Sequence, residues 1–167
     1  MGPTLVEACR YHRWANLHLL SVCESLNDRQ LRWTTPGTYG TVAATFQHLV
    51  AAERRYLWRL QGGIGRFTVR HQFPGIPALR EEAARTGAEL IEMAPRIKGG
   101  DVVATKFKTA TFEVHKGVLI IQALHHGNDH RTHVCSILGH HGVQYGDMDV
   151  WAYGEAIGAM VRLPTKA

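Results

Sequence analysis

Four segments of the chain carry apolar residues at helical spacing with no interrupting proline, and that periodicity limits the possible folds more than any other feature. Tyr11, Trp14, Ala15, His18 and Val22 recur in this way, so a first helix is expected from about Thr4, which can cap it, to about Leu26. Asn27-Asp28 ends it or caps another short turn. Thr34-Thr35-Pro36-Gly37 reads as a loop, and a second helix from about Thr41 to Leu60 stops at Gly62-Gly63. Ile64 to Pro74, with Gly65, Phe67 and Phe73, is an irregular connection. A third helix begins near Pro77, a favoured first-turn residue, and runs toward Met93 before Pro95 and Gly99-Gly100. The fourth runs from about His115 to Leu138 and ends at Gly139 or Gly142.

Between the third and fourth helices, Thr105, Phe107, Thr109 and Thr111 alternate with Lys106 and Lys108, which suggests an extended crossover or a short hairpin over Val102 to Val114. Four long helices with so little strand imply an all-α chain, a four-helix bundle with long crossover connections and a short C-terminal helix. That last helix is expected around Asp149 to Ala156, with Trp151 and Tyr153 as packing groups, lying transversely over one bundle end. A length of 167 residues suits one domain over 1–167, able to bury a core without disulfides.

The cysteines, Cys9, Cys23 and Cys135, form no CxxC pair, and an odd count does not close a disulfide framework. On one helix, Cys9 and Cys23 would stand roughly 21 Å apart, against a limit of ~7 Å for a bridge. A reducing cytoplasm fits. The start, Met-Gly-Pro-Thr, lacks a basic segment followed by an apolar run, and no apolar stretch approaches the ~18 residues of a membrane span, so neither export nor membrane insertion is expected. Formal net charge is +5, but the excess is scattered, with Arg54-Arg55 the only adjacent basic pair and no recognition motif beside it. No nucleic-acid binding is expected.

Histidine stands out, with 11 residues in the chain. On the fourth helix His126 and His130 are four apart, so their imidazoles share a face with β-carbons ~5–6 Å apart, and one metal ion can accept both. Spacing alone carries little, because chance placement of 11 histidines in 167 positions gives about 0.7 such pairs. Context adds more. At 100° per residue, Leu119, Gln122, His126, His130, His133 and Ile137 form one stripe, and the apolar members place it toward the interior. An interior polar stripe is costly unless satisfied, and metal ligation is one way to satisfy it. On the second helix His48 is surrounded by Thr41, Ala44, Thr45, Ala51, Ala52 and Arg55. Small neighbours leave room for a cavity or merely let helices approach closely. Arg55 is either an anion contact at its rim or an ordinary surface cation.

Several short pieces taken together resemble the DinB/YfiT family of metal-binding bundles over nearly the whole chain. They are Tyr11-His12-Arg13-Trp14-Ala15-Asn16, Tyr39-Gly40-Thr41 leading to Thr45-Phe46-Gln47-His48-Leu49, His126-Gly127-Asn128-Asp129-His130-Arg131, Gly142, and Asp149-Val150-Trp151-Ala152-Tyr153. The resemblance implies that His48, His126 and His130 hold one divalent transition-metal ion, zinc or nickel before others. After His130-Arg131 many relatives have Gly-Gln, whereas this chain has Thr132-His133. His133 could line the pocket, relay a proton as a catalytic group or offer a fourth ligand, against the ordinary role of a polar helix residue. The resemblance, with aromatic Trp14, Trp151 and Tyr153, also implies a homodimer.

Cys135 falls about 140° from His130 and 180° from His126, which reads as packing, and His115 is about three turns from His126. For His115, His12, His18, His71, His125, His140 and His141 surface or cap roles are expected. Glu53 falls about 140° from His48, so no carboxylate base is expected beside the ligands.

Three neutral imidazoles leave a divalent ion electrophilic and open to water or substrate, whereas structural zinc sites are usually closed by four ligands that include cysteine. Relatives include enzymes acting on low-molecular-weight thiols. The resemblance therefore implies a metal-dependent thiol S-transferase or a related hydrolase, with a small-molecule thiol or electrophile as partner. A different class, a non-catalytic metal-binding stress-response protein, would use the ion only to clamp two helices. A haem bundle would need a Soret band.

Overall fold

The computed structural model describes residues 3–64, 66–68, 72–107 and 109–163. His71 and Lys108 lie outside the described residues.

Helix boundaries follow local capping chemistry. Helix α1 spans Pro3–Cys23, so Thr4 lies inside its first turn, and the helix ends three residues before Leu26. Asn27 then caps the short α2, Asp28–Leu31, by a reciprocal box in which its side chain accepts from Gln30 N and the Gln30 side chain accepts from Asn27 N. Thr41 caps α3, Val42–Leu60, accepting from Ala44 N at 3.1 Å. Helix α4, Ile76–Met93, follows Gly75, whose φ of 92° favours glycine, and Pro77 sits in its first turn. A 3-10 turn, Ala94–Arg96, continues it. Helix α5, Lys116–His140, is followed by α6, Val150–Ala156, capped by Asp149.

The chain is mostly helical, and its one sheet among the described residues consists of strands β1, Val102–Phe107, and β2, Ala110–His115, an antiparallel pair from Val102↔His115 to Phe107↔Ala110. The choice left open between crossover and hairpin falls to the hairpin. Alternation explains it: Val103 and Thr105 are buried, and β1 packs on α3.

Among the long helices, α1 packs on α4 and α5, and α3 packs on α4 and α5. Two large apolar clusters join them, beside a small third of Ala52 and Tyr56 of α3 with Ala123 of α5. One joins Leu19, Leu20 and Cys23 of α1 to Phe46 and Leu49 of α3, Leu79 of α4 and Ile137 of α5. The other joins Cys9 of α1 to Leu57 and Leu60 of α3, Leu90 of α4 and Leu119 and Ile120 of α5. The order in which each helix visits the clusters shows that α1 and α5 run one way and α3 and α4 the other. Helices α3 and α4 therefore begin at the same end.

A buried polar layer separates the clusters: His12 and Asn16 of α1, Glu53 of α3, Thr86 of α4 and Arg131 of α5 are each 5% exposed or less. Helix α6 lies on the flank of α1 and not across an end. Tyr153 is buried, its ring meets Tyr11 and Trp14, and its hydroxyl donates to Glu7.

Candidate metal centre

Cap and helix period together decide where the three histidines meet. With α3 started at Thr41, His48 falls two turns in, on the side packed against α5. There His126 Nε2 lies 3.0 Å from His48 Nε2 and 3.1 Å from His130 Nε2. All three can offer a donor atom within 4.8 Å of one another, so the group could hold a metal ion. Tetrahedral ligation at ~2.0–2.1 Å sets ligand atoms roughly 3.3 Å apart, close to this spacing.

The donor chemistry fits an ion. A proton on His126 Nε2 can bridge to one neighbour only, whereas one cation satisfies all three lone pairs. Burial lowers the pKa of each imidazole, and nearby positive charge adds to it: Arg55 beside His48, and His130, His48 and Arg55 beside His126, which is pushed down to about 4. Neutral, ligand-competent rings are thereby favoured at neutral pH. On the far side of His48, Tyr39 Oη is 2.9 Å from Nδ1, and the Tyr39 ring stacks on the imidazole at 4.3 Å. Tyr39 also meets His130 edge-on. Tyr56 walls the other side, its ring T-shaped to His126 at 5.7 Å.

His133 is not among these three. It is half-buried beside His130, with ring centroids 5.5 Å apart, and it forms a second possible ligand group with Asp129 and His130. That group draws all its donors from α5, and Asp129 is exposed, so the set spanning α3 and α5 is the better cage. The buried Nδ1 atoms of His130 and His133 have no hydrogen-bond partner among the described residues.

The polar layer holds residues that sequence reasoning missed. His12 is buried, against the surface or cap role expected of it, and its Nε2 lies 2.5 Å from Glu53 Oε2. Glu53 also accepts from Thr86 and, at 3.3 Å, from Asn16. Arg131 donates to Asn16 Oδ1 at 2.6 Å and to His12 Nδ1 at 3.3 Å. These directions assign the His12 tautomer: Nδ1 accepts from the guanidinium and Nε2–H donates to the carboxylate. A signal was present, since Glu53 stands four residues from both Leu49 and Leu57 on the apolar stripe of α3. Glu53 is buried yet faces this layer, so the one carboxylate grouped with a ligand among the described residues is the exposed Asp129 beside His130.

The remaining histidines lie elsewhere. His18 is half-buried, donating to Tyr145 O at 2.8 Å and stacking on Trp14. His115 occupies the cap position of α5 without a side-chain cap bond. His125, His140 and His141 are exposed, and His141 stacks on Trp33. Cys9 and Cys23 are buried and free, and Cys135 packs beside the first apolar cluster.

No helix among the described residues is long and apolar enough to cross a membrane. No curated protein sequence matches the chain. The crystal structure of a DinB-like protein from Bacillus cereus superposes on it with a TM-score of 0.65 at 16% identity, covering 86% of this chain and 94% of that one. At that identity the likeness concerns the fold. The family model described as the DinB superfamily matches residues 12–134, which include all three converging histidines and the whole polar layer. The chain belongs to the DinB superfamily.

Proposed function

We propose that this protein is a divalent-metal-dependent enzyme, a thiol S-transferase or a related hydrolase, in which His48, His126 and His130 hold the ion through their Nε2 atoms. One observation carries the reading: three imidazole nitrogens from two helices face a common point at ligand spacing. On this reading the four long helices are a four-helix bundle in one domain, with the ion at mid-height beside the polar layer. When bound, the ion supplies Lewis acidity that lowers the pKa of a coordinated thiol or water.

The chain's own groups do the rest. Tyr39 and Tyr56 limit water around the ligands and fix their ring orientations, and the His12–Glu53–Arg131 network holds α5 in register against α1. His133, half-buried beside His130, is the group suited to take up a released proton. A ligand set of three neutral nitrogens favours chemistry over a purely structural role, because it leaves positions for substrate.

The test compares metal content after chelator-free purification for the wild type, the His48→Ala/His126→Ala/His130→Ala variant and His140→Ala. The triple variant should lose the ion and His140→Ala should keep it. Metal-loaded protein should then accelerate thiol transfer or hydrolysis across a panel of small thiols and electrophiles. Unchanged metal in the triple variant would remove the site. Metal without activity across the panel would leave a helix clamp.

A further inference from the structure

A groove of about 870 Å³ opens between α3, α5 and the hairpin, within the size range of small-molecule sites. It adjoins the histidine cluster. Tyr56 lines it and touches His126, and Gln122, which donates to Tyr56 Oη at 3.4 Å, precedes His126 by one turn. The opposite wall is apolar: Phe107, Phe112 and Val118 line it, 43%, 51% and 56% exposed. Large side chains left this open beside a cavity mark a place where something binds.

Two arginines set the sign of the ligand. Arg55 and Arg59, one turn apart on α3, both line the groove, and neither forms an ion pair among the described residues. Arg55 Nε is buried without a hydrogen-bond partner, and the Arg59 guanidinium lies over the Phe107 ring at 4.7 Å. Burial and the neighbouring Arg55 charge lower the pKa of Arg59. Contrast the cavity between α3 and α4, where Glu82 pairs with both Arg54 and Arg85. Glu113 also lines the groove without pairing with either arginine, which disfavours polyanions and leaves a single planar carboxylate as the better match for guanidinium donors.

We propose that this groove binds a small amphiphilic carboxylate, its anion between Arg55 and Arg59, its apolar stem on Phe112 and Val118, and its other end directed at His126. Only the last clause rests on the metal-enzyme reading.

The anion site is tested in metal-free protein, where no ion can attract the carboxylate. Amide chemical shifts are followed while 3-phenylpropionate or its neutral analogue 3-phenylpropanamide is added. The acid should move the Val118 and Gln122 signals and bind at least tenfold tighter than the amide. Arg55→Gln/Arg59→Gln should weaken the acid at least tenfold, while Arg85→Gln at the other cavity leaves it unchanged. Equal binding of acid and amide to the wild type would overturn the proposal without reference to any variant. The orientation is tested in cobalt-loaded protein with 6-mercaptohexanoate, which should give a sulfur-to-cobalt absorption band lost in the double arginine variant. Cobalt uptake with arginine-dependent binding but no band would overturn the orientation alone. Failure to take up cobalt would sink the metal reading and leave the anion site standing.

Discussion

Tyr39 Oη lies 2.9 Å from His48 Nδ1, on the opposite edge of the imidazole from the Nε2 that faces His126. If the phenol oxygen accepts Nδ1–H, Nε2 is left unprotonated and can ligate. Removing the oxygen should release that tautomer. Tyr39→Phe should therefore weaken zinc binding roughly tenfold, the lower end for such outer contacts, with little loss of fold stability because Tyr39 is 50% exposed. Competition against a chromophoric chelator measures this; an unchanged affinity would deny Tyr39 an orienting role.

The polar layer predicts a different kind of damage. Glu53 and Arg131 share His12 and Asn16 as partners, so deleting either charge strands the other in the core. Glu53→Leu and Arg131→Met should each cost on the order of 3–5 kcal/mol, and the double variant less than the sum. Gly127→Ala should also destabilise, because a β-carbon there would stand 2.2 Å from His12 Cε1. Denaturant titration decides: additive losses would mean that the two charges are not coupled.

Much of this was legible in the sequence because helical periodicity and caps are local. The limits of α3, and the direction shared by His126 and His130, follow from spacing alone. The partner of that pair did not, since only packing of α3 on α5 brings His48 across, and the resemblance to a family supplied it. Glu53 does face away from the ligands as its angle from His48 implied, but its burial went unread for a related reason: a helix buried on two sides has a second interior face, and one helical wheel does not show which neighbour covers it. Tyr39 entered only as part of a family motif, and its contact with His48 could not be read because it lies in a loop, where periodicity says nothing.

Acid should destabilise the metal-free protein. The His126 pKa is pushed from its ordinary value near 6.5 down to about 4, first by burial. Between those values the unfolded chain binds more protons than the folded one, so stability is full above about pH 6.5 and is lost as pH falls toward 4. The Tm of metal-free wild type should fall more steeply across that window than that of His126→Gln. Parallel curves would contradict the assignment.

Assembly should involve the C-terminal segment. Val150 and Trp151 are 60% and 72% exposed, and Val161 and Leu163 follow at 74% and 80%. Tyr153 is withdrawn from such a contact by its burial on α1. Light scattering is expected to give twice the protomer mass, reduced to one protomer by Trp151→Glu. A monomer in the wild type at micromolar concentration would rule the contact out.

His133 offers the sharpest separation between ligand and proton carrier. It sits one turn from Asp129 and beside His130, yet outside the cluster of three Nε2 atoms. A fourth ligand at that position would make metal content depend on it. A proton carrier would not: His133→Ala should retain the ion but slow turnover roughly 10²-fold, the lower range for general acid–base groups. Added imidazole should restore part of the rate, a rescue that a merely structural side chain would not give. Loss of metal in His133→Ala would make it a ligand, and unchanged rates with unchanged metal would return it to an ordinary polar residue of α5.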